Sequence, residues 1–356
     1  MKIRALMVLW IVLALAGMVI ITTGEKTEQE FKLPSELTAE ELQMLYKDYG
    51  ITENDIKFAK GELPHYLVGT ELDGKVITMG KVNKDGSVQD WIDPKLYRWA
   101  IENGFKVVNA TEYFKIEKAA IEAYKKKYGV DPANPKVDIV DGTPLPVEYV
   151  KKLVRERILK QSNDVVIVSN NVGPWAKNDE LYLWIFEAKD SNHKPVESYL
   201  QETVNAYQRF YQFNPGTLYY YHITTYWDAS DVSLSISSDL LKDLAEDTDW
   251  WRSSYNDRDP TNDIVIGWVK YADHNGMAYI NGFFSIAATQ ASGVDWLHDS
   301  IAQHEISHNF NADDAGSWPW EHPECIMNYY YAWLGTDKWC DEHWNVIYGN
   351  INGLWE

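Results

Sequence analysis

From about residue 164 onward the apolar positions switch between the period of a strand and the period of a helix. Asp164-Val165-Val166-Ile167-Val168 and Leu181-Tyr182-Leu183-Trp184-Ile185-Phe186 are rich in β-branched and aromatic residues and read as strands. A long amphipathic helix is predicted from Pro195 through Phe213, with Val196, Leu200, Val204, Tyr207 and Tyr211 on one face. Leu218 to Tyr226 and Ile264 to Tyr271 read as further strands, and Asn275-Gly276 turns into another over Met277 to Gly282. Residues 295–309 read as a helix, and Asp341 to Gly349 as a closing one.

The first half is patterned differently. Residues 25–160 are lysine-rich and mixed. Leu37 to Tyr46 opens on Thr38-Ala39-Glu40-Glu41, a capping box with Thr38 as the cap. Val76 to Met79 and Val88 to Ile92 flank Asn83-Lys84-Asp85-Gly86, a hairpin signal. Tyr113 to Tyr128 reads as a helix stopped by Gly129, and Val147 to Leu159 as another, with the loop Asp131-Pro132-Ala133-Asn134-Pro135 between them. No catalytic constellation is visible here, so a propeptide and an accessory domain fit equally well. The length suits one large or two modest domains. Residues 1–24, 25–160 and 161–356 are the natural divisions.

Lys2 and Arg4 precede an apolar run from Ala5 to Ile21, followed by a polar segment from Glu25 to Glu30. A basic start, apolar centre and polar exit describe a secretory signal. The run also stands at the lower edge of a membrane span, and no clear Ala-x-Ala site follows, so an uncleaved anchor is the rival. Both readings export the rest of the chain, either secreted or tethered through residues 5–21 to the outer face of a membrane.

The formal charge is −20, from 53 acidic and 33 basic residues. A surface this negative repels nucleic acid and anionic lipid heads, so neither is expected as a partner. Asp247-Thr248-Asp249 and Asp257-Arg258-Asp259 are acidic enough to suggest calcium, but no Asp-x-Asp-x-Asp-Gly loop supports it, and solvated acidic loops are the expectation. Aromatics reach 14% and are assigned mostly to the core.

The chemistry is concentrated in His304-Glu305-Ile306-Ser307-His308, with Asp313-Asp314 soon after and Cys325-Ile326-Met327-Asn328-Tyr329 beyond. Residues four apart on a helix share a face, so His304 and His308 can aim both imidazoles at one point. That spacing suits Zn²⁺, with Glu305 placed as a general base. Asp314 lies close enough to fold back as a third ligand, leaving one position open, as in catalytic rather than structural zinc sites. His298 is six residues before His304 and points away from the ligand face. His298, His322 and His343 receive only structural or surface readings.

This segment resembles the metzincin metallopeptidases, whose pattern is His-Glu-x-x-His-x-x-Gly-x-x-His/Asp followed by a methionine turn. His304, Glu305, His308 and Asp314 fall on that pattern and Met327 falls in the turn. The helix wording is similar to the reprolysin (adamalysin) branch, the Asp ligand to snapalysin, and Tyr329 to astacins and serralysins. Asn311 departs from the pattern, standing where the family has Gly. The likeness covers about residues 295–330, weakening back to about 165.

The resemblance implies an α+β (mixed α/β) catalytic domain. It would have a mostly parallel twisted sheet, an active-site helix, a Met-turn and a C-terminal helix, preceded by a smaller α+β region. It implies one catalytic Zn²⁺ and protein or peptide substrates, with residues 277–282 as an edge strand that holds them by strand addition. Glu305 would take the proton of the attacking water and pass it to the departing amine. Met327 would be an apolar floor. Tyr329 would either hydrogen-bond the oxyanion or pack below the metal. Two other functions stay open: a catalytically silent surface binding protein that keeps the metal fold, and a zinc hydrolase of a peptide-containing cell-wall polymer.

The two cysteines of the chain are Cys325 and Cys340. In an exported protein such a local pair is expected as a disulfide bracketing the Met-turn, with two buried reduced thiols as the alternative. The absence of any upstream cysteine excludes a cysteine-switch propeptide of the kind seen in some metzincins.

Overall fold

The structure, a computed structural model, describes residues 32–353 apart from 65–75, 84, 86, 93, 133–134, 141, 156–166, 169–179, 191, 196–198, 217, 225–226, 233, 255–261, 292–295 and 323. The apolar run at residues 5–21, most of the strand expected at 164–168 and the acidic stretch 257–259 lie outside the described residues. Among those described, no helix is long and apolar enough to cross a membrane.

Along the first half come α1 (Ala39–Asp48), α2 (Glu53–Ala59), β1 (Val76–Val82), β2 (Val88–Asp90), α3 (Pro94–Glu102), β3 (Lys106–Val107), α4 (Ala110–Tyr128), β4 (Val137–Val140), β5 (Thr143–Pro146) and α5 (Val147–Arg155). The capping box forms at α1: Thr38 Oγ1 accepts from the Glu41 amide at 3.2 Å, and Glu41 accepts from the Thr38 amide at 2.9 Å. α4 ends where Gly129 takes φ +72°, a left-handed stop that costs glycine nothing.

The second half contributes β6 (Ile167–Val168), β7 (Glu180–Glu187), α6 (Leu200–Gln208), β8 (Leu218–Thr224), α7 (Ser237–Ser254), β9 (Asp263–Val269), β10 (Gly276–Ile280), β11 (Phe284–Ala288), α8 (His298–Asn309), α9 (Tyr329–Trp333) and α10 (Asp341–Ile351). The strands join in the order β2-β1-β8-β7-β9-β11-β10-β6, with β3 attached to β1. The centre, β8-β7-β9-β11, is parallel throughout, while β1 runs antiparallel to β8 and β10 antiparallel to β11. The fold is therefore mixed α/β with a mostly parallel central sheet, and strands from the first half extend it.

Every residue of β9 is buried, the mark of a strand covered on both faces. Alternation along β7 sorts the core. Leu181, Leu183 and Ile185 face a cluster with Leu200, Val204 and Tyr207 of α6 and Ile301, Ala302 and Ile306 of α8. Trp184 and Phe186 face Leu240, Leu241 and Leu244 of α7. The site helix α8 is thus held against one face of the sheet.

Three expectations are corrected. Pro195 does not open the helix. Asp190 closes a turn by accepting from the amides of Asn192 and His193, and the Glu187 carboxylate captures the Tyr199 amide, so α6 starts at Leu200 and tightens into a 3₁₀ turn over Arg209–Phe213. Asp247-Thr248-Asp249 is helical, not a loop. Leu240, Leu241, Leu244 and Thr248 form a buried stripe at helical spacing, and Thr248 donates to the Leu244 carbonyl at 2.6 Å. The strand over 276–280 is not a bare edge, because Tyr279 and Ile280 pair with Ile167 and Val168 of β6.

Candidate metal centre

α8 carries its two histidines on successive turns, both fully buried. Their Nε2 atoms stand 3.0 Å apart. His304 Nδ1 lies 3.0 Å from the Ile326 carbonyl, and His308 Nδ1 lies 2.6 Å from the Ala312 carbonyl. A carbonyl only accepts, so each Nδ1 carries the hydrogen and a neutral ring presents its Nε2 lone pair. Burial, with His304 adding to it, pushes the His308 imidazole down to about 4, so that ring is neutral at ordinary pH.

The chain then reverses. Asn311 adopts φ +70°, the left-handed conformation that Asn tolerates better than most residues, and its amide donates to the His308 carbonyl at 2.9 Å. The reversal delivers Asp314 Oδ1 to 3.2 Å from His304 Nε2 and 3.5 Å from His308 Nε2. Burial works to raise the Asp314 carboxyl, but its close contacts with His304, His308 and Tyr329 outweigh it and hold the carboxyl below its ordinary value. Asp313 is exposed.

Three electron-pair donors thus converge where each would repel the others without a shared positive charge. Bonds of about 2.0–2.2 Å from a tetrahedral Zn²⁺ set donor–donor edges of about 3.3–3.6 Å. The edges here, 3.0, 3.2 and 3.5 Å, are close to that. Outer partners are also present, since both rings are oriented by carbonyls on Nδ1, the arrangement that fixes tautomer and direction in zinc sites. The residues fit zinc.

Glu305 is buried between the two histidines in sequence and faces the start of β10. A Cβ at position 276 would come within 2.4 Å of Glu305 Oε1, so Gly276 is what lets the carboxylate occupy its place. Met327 is fully buried, and its carbonyl accepts from the Ala315 amide at 2.7 Å. Tyr329 lies with its ring 5.7 Å from that of His304 and hydrogen-bonds the Asp314 side chain. Its hydroxyl is therefore engaged with a candidate ligand. His298, as expected, faces elsewhere, against Tyr199 and Trp268. It lines a cavity of about 830 Å³ that also touches Tyr49, Phe58 and Glu117 of the first half and is not lined by the three donors.

The expected disulfide is not formed. Cys325 and Cys340 are both free and buried, and their sulfurs turn to His343 Nδ1 at 3.6 and 3.0 Å. His322 Nδ1 lies 3.8 Å from Cys340 Sγ. Reading His322 and His343 as surface or structural residues missed this convergence. The signal was in the spacing, because His322-Pro323-Glu324-Cys325 and Cys340-Asp341-Glu342-His343 each place a thiol and an imidazole three residues apart.

No protein-family model and no curated protein sequence matches the chain. Among solved structures, it is similar to the crystal structure of metalloproteinase-II from Bacteroides fragilis. The identity is 13%, covering 67% of this chain and 70% of that one, with a TM-score of 0.38. So distant a likeness assigns no activity to this chain, and the site has to be judged on its own geometry.

Proposed function

We infer that the chain is a zinc-dependent peptidase. One observation carries this reading: His304 Nε2, His308 Nε2 and Asp314 Oδ1 meet within 3.5 Å of one another, next in sequence to a buried carboxylate, Glu305. Zn²⁺ held by these three residues would supply Lewis acidity toward a peptide carbonyl and toward water. Glu305 takes the proton from the attacking water and returns it to the departing amine. The Ile326 and Ala312 carbonyls hold the imidazoles in the donor tautomer, and Tyr329 holds Asp314. Residues 25–160 are an accessory region or propeptide that adds β1 and its partners to the same sheet.

The test is hydrolysis of a casein or peptide-library substrate together with zinc content. Chelation abolishes activity and added Zn²⁺ restores it. Glu305→Gln retains zinc and lowers the rate by about 10²–10⁴-fold, the usual contribution of a general base. Gly276→Ala, which pushes a methyl into that carboxylate, also lowers the rate with zinc kept. Full activity in the Glu305 variant would end this mechanism. Zinc binding without hydrolysis of any peptide would favour a binding protein.

A further inference from the structure

We propose that His322, Cys325, Cys340 and His343 form a second metal site, a closed structural Zn²⁺ site that locks the Met-turn. His322, Cys340 and His343 already bring one donor atom each within 4.8 Å of one another. Cys325 Sγ stands 3.6 Å from His343 Nδ1 as the fourth. A tetrahedral zinc bonded at about 2.3 Å to sulfur and 2.0 Å to nitrogen sets S···N edges of about 3.5 Å. Three of the four S···N separations, 3.0, 3.6 and 3.8 Å, bracket that value, and Cys325 would close toward His322 when the ion binds.

The surroundings are those of metal ligands. Both histidines aim Nδ1 at the sulfurs. The His322 Nε2 is left facing the Glu342 carboxylate at 3.6 Å, and the His343 ring also hydrogen-bonds the Asp313 backbone. A carboxylate or carbonyl behind each imidazole is the usual outer partner of a zinc-bound histidine. The Cys340 amide donates to Cys325 Sγ at 3.2 Å, a contact that stabilises negative charge on sulfur. Two Cys and two His fill a tetrahedron and leave no place for water, so this site would be structural.

Its position gives it a task. Cys325 precedes Ile326, whose carbonyl orients His304, and His343 touches the residue before Asp314. An ion here would fix both strands of the loop that completes the first site.

Full-length protein, purified without chelator, is analysed for zinc by mass spectrometry and for thiols by intact mass. Two zinc ions per chain and two reduced thiols are expected, and cobalt-loaded protein should show a thiolate-to-cobalt charge-transfer band. Cys340→Ser should halve the zinc and remove the band, whereas Asp314→Ala should remove the other ion and keep the band. His322→Gln, a change at the most exposed ligand, should weaken the band if Cys340→Ser fails to fold. An intact mass showing a disulfide, or one zinc with no thiolate band, overturns the proposal. Loss of peptidase activity with both ions present would instead count against the proposed function alone.

Discussion

The His304 cluster draws two of its three donors from adjacent turns of one helix, whereas the His322 cluster draws four from two segments eighteen residues apart. In the first, backbone periodicity sets the separation of the imidazoles before any tertiary contact forms. In the second, nothing local brings the segments together. They meet because the Ile326 amide donates to the Lys338 carbonyl at 2.6 Å and the Cys340 amide to Cys325 Sγ. Each cluster has one partly exposed member, Asp314 at 22% and His322 at 28% of its side chain, so what separates them is the donor count: three leave a tetrahedral position open and four leave none. A helix can thus present an open site, and a loop needs a closed one to hold its shape.

The largest expected effect breaks the first cluster and spares the second. Asp314→Ala removes a donor that stands 3.2 and 3.5 Å from the two imidazoles. Loss of a mere outer partner costs about 10–100-fold in metal affinity, so loss of a ligand should cost more than that. Asp313→Ala should leave zinc nearly unchanged, because its exposed carboxylate is not among the converging donors and the backbone group that meets His343 survives. Zinc titration of the two purified variants checks this. Equal losses would mean that the reversal at Asn311 does not select between the neighbouring aspartates.

The same contrast explains what could be read from the sequence. His304, Glu305 and His308 were legible because their relation is intrahelical, and Asp314 because a single reversal separates it from the helix. β7 and β9 were legible as apolar runs, and α1 from its capping box. β11 was not predicted, since Phe284–Ala288 is too short to show a period of its own. α7 was obscured by acidic residues that occupy its solvent side. The start of α6 was misplaced because a buried carboxylate, Glu187, from twelve residues away captures the Tyr199 amide. The thiols suggest a disulfide because export favours oxidation; the Cys/His spacing three residues apart was there to be read, but only three-dimensional placement shows His343 Nδ1 beside both sulfurs.

His298 sharpens the comparison as a histidine on the same helix with no donor set opposite it. Burial pushes its imidazole down to about 4 from an ordinary 6.5. The unfolded chain therefore binds more protons between those values, and the ring's contribution to stability is complete above about pH 6.5 and lost as pH falls toward 4. Each pH unit is worth about 1.4 kcal/mol, so the loss is at most about 3.5 kcal/mol, and less because the ring borders the cavity. His298→Phe should lower, but not abolish, the pH slope of denaturation free energy across that window in metal-free protein, because the His308 imidazole, also pushed down to about 4, takes up its own proton there. An unchanged pH slope would place the proton uptake elsewhere.

The smallest effect tests the turn that only the helix-built cluster requires. Asn311 holds φ +70°, a conformation costing an ordinary residue roughly 1–2 kcal/mol and glycine almost nothing. Its amide and that of Ala312 donate to the His308 and Ser307 carbonyls, closing the end of α8. Asn311→Ala should therefore lower stability by about 1 kcal/mol, while Asn311→Gly stays within about 0.5 kcal/mol of the parent, since Gly replaces Asn without the penalty of a Cβ. Zinc affinity at the His304 cluster should follow the same order, because the strain lies between His308 and Asp314. The cobalt band of the His322 cluster should not move in either variant. If Ala were tolerated as well as Gly, or if both sites weakened together, the reversal would not be the element that separates the two centres.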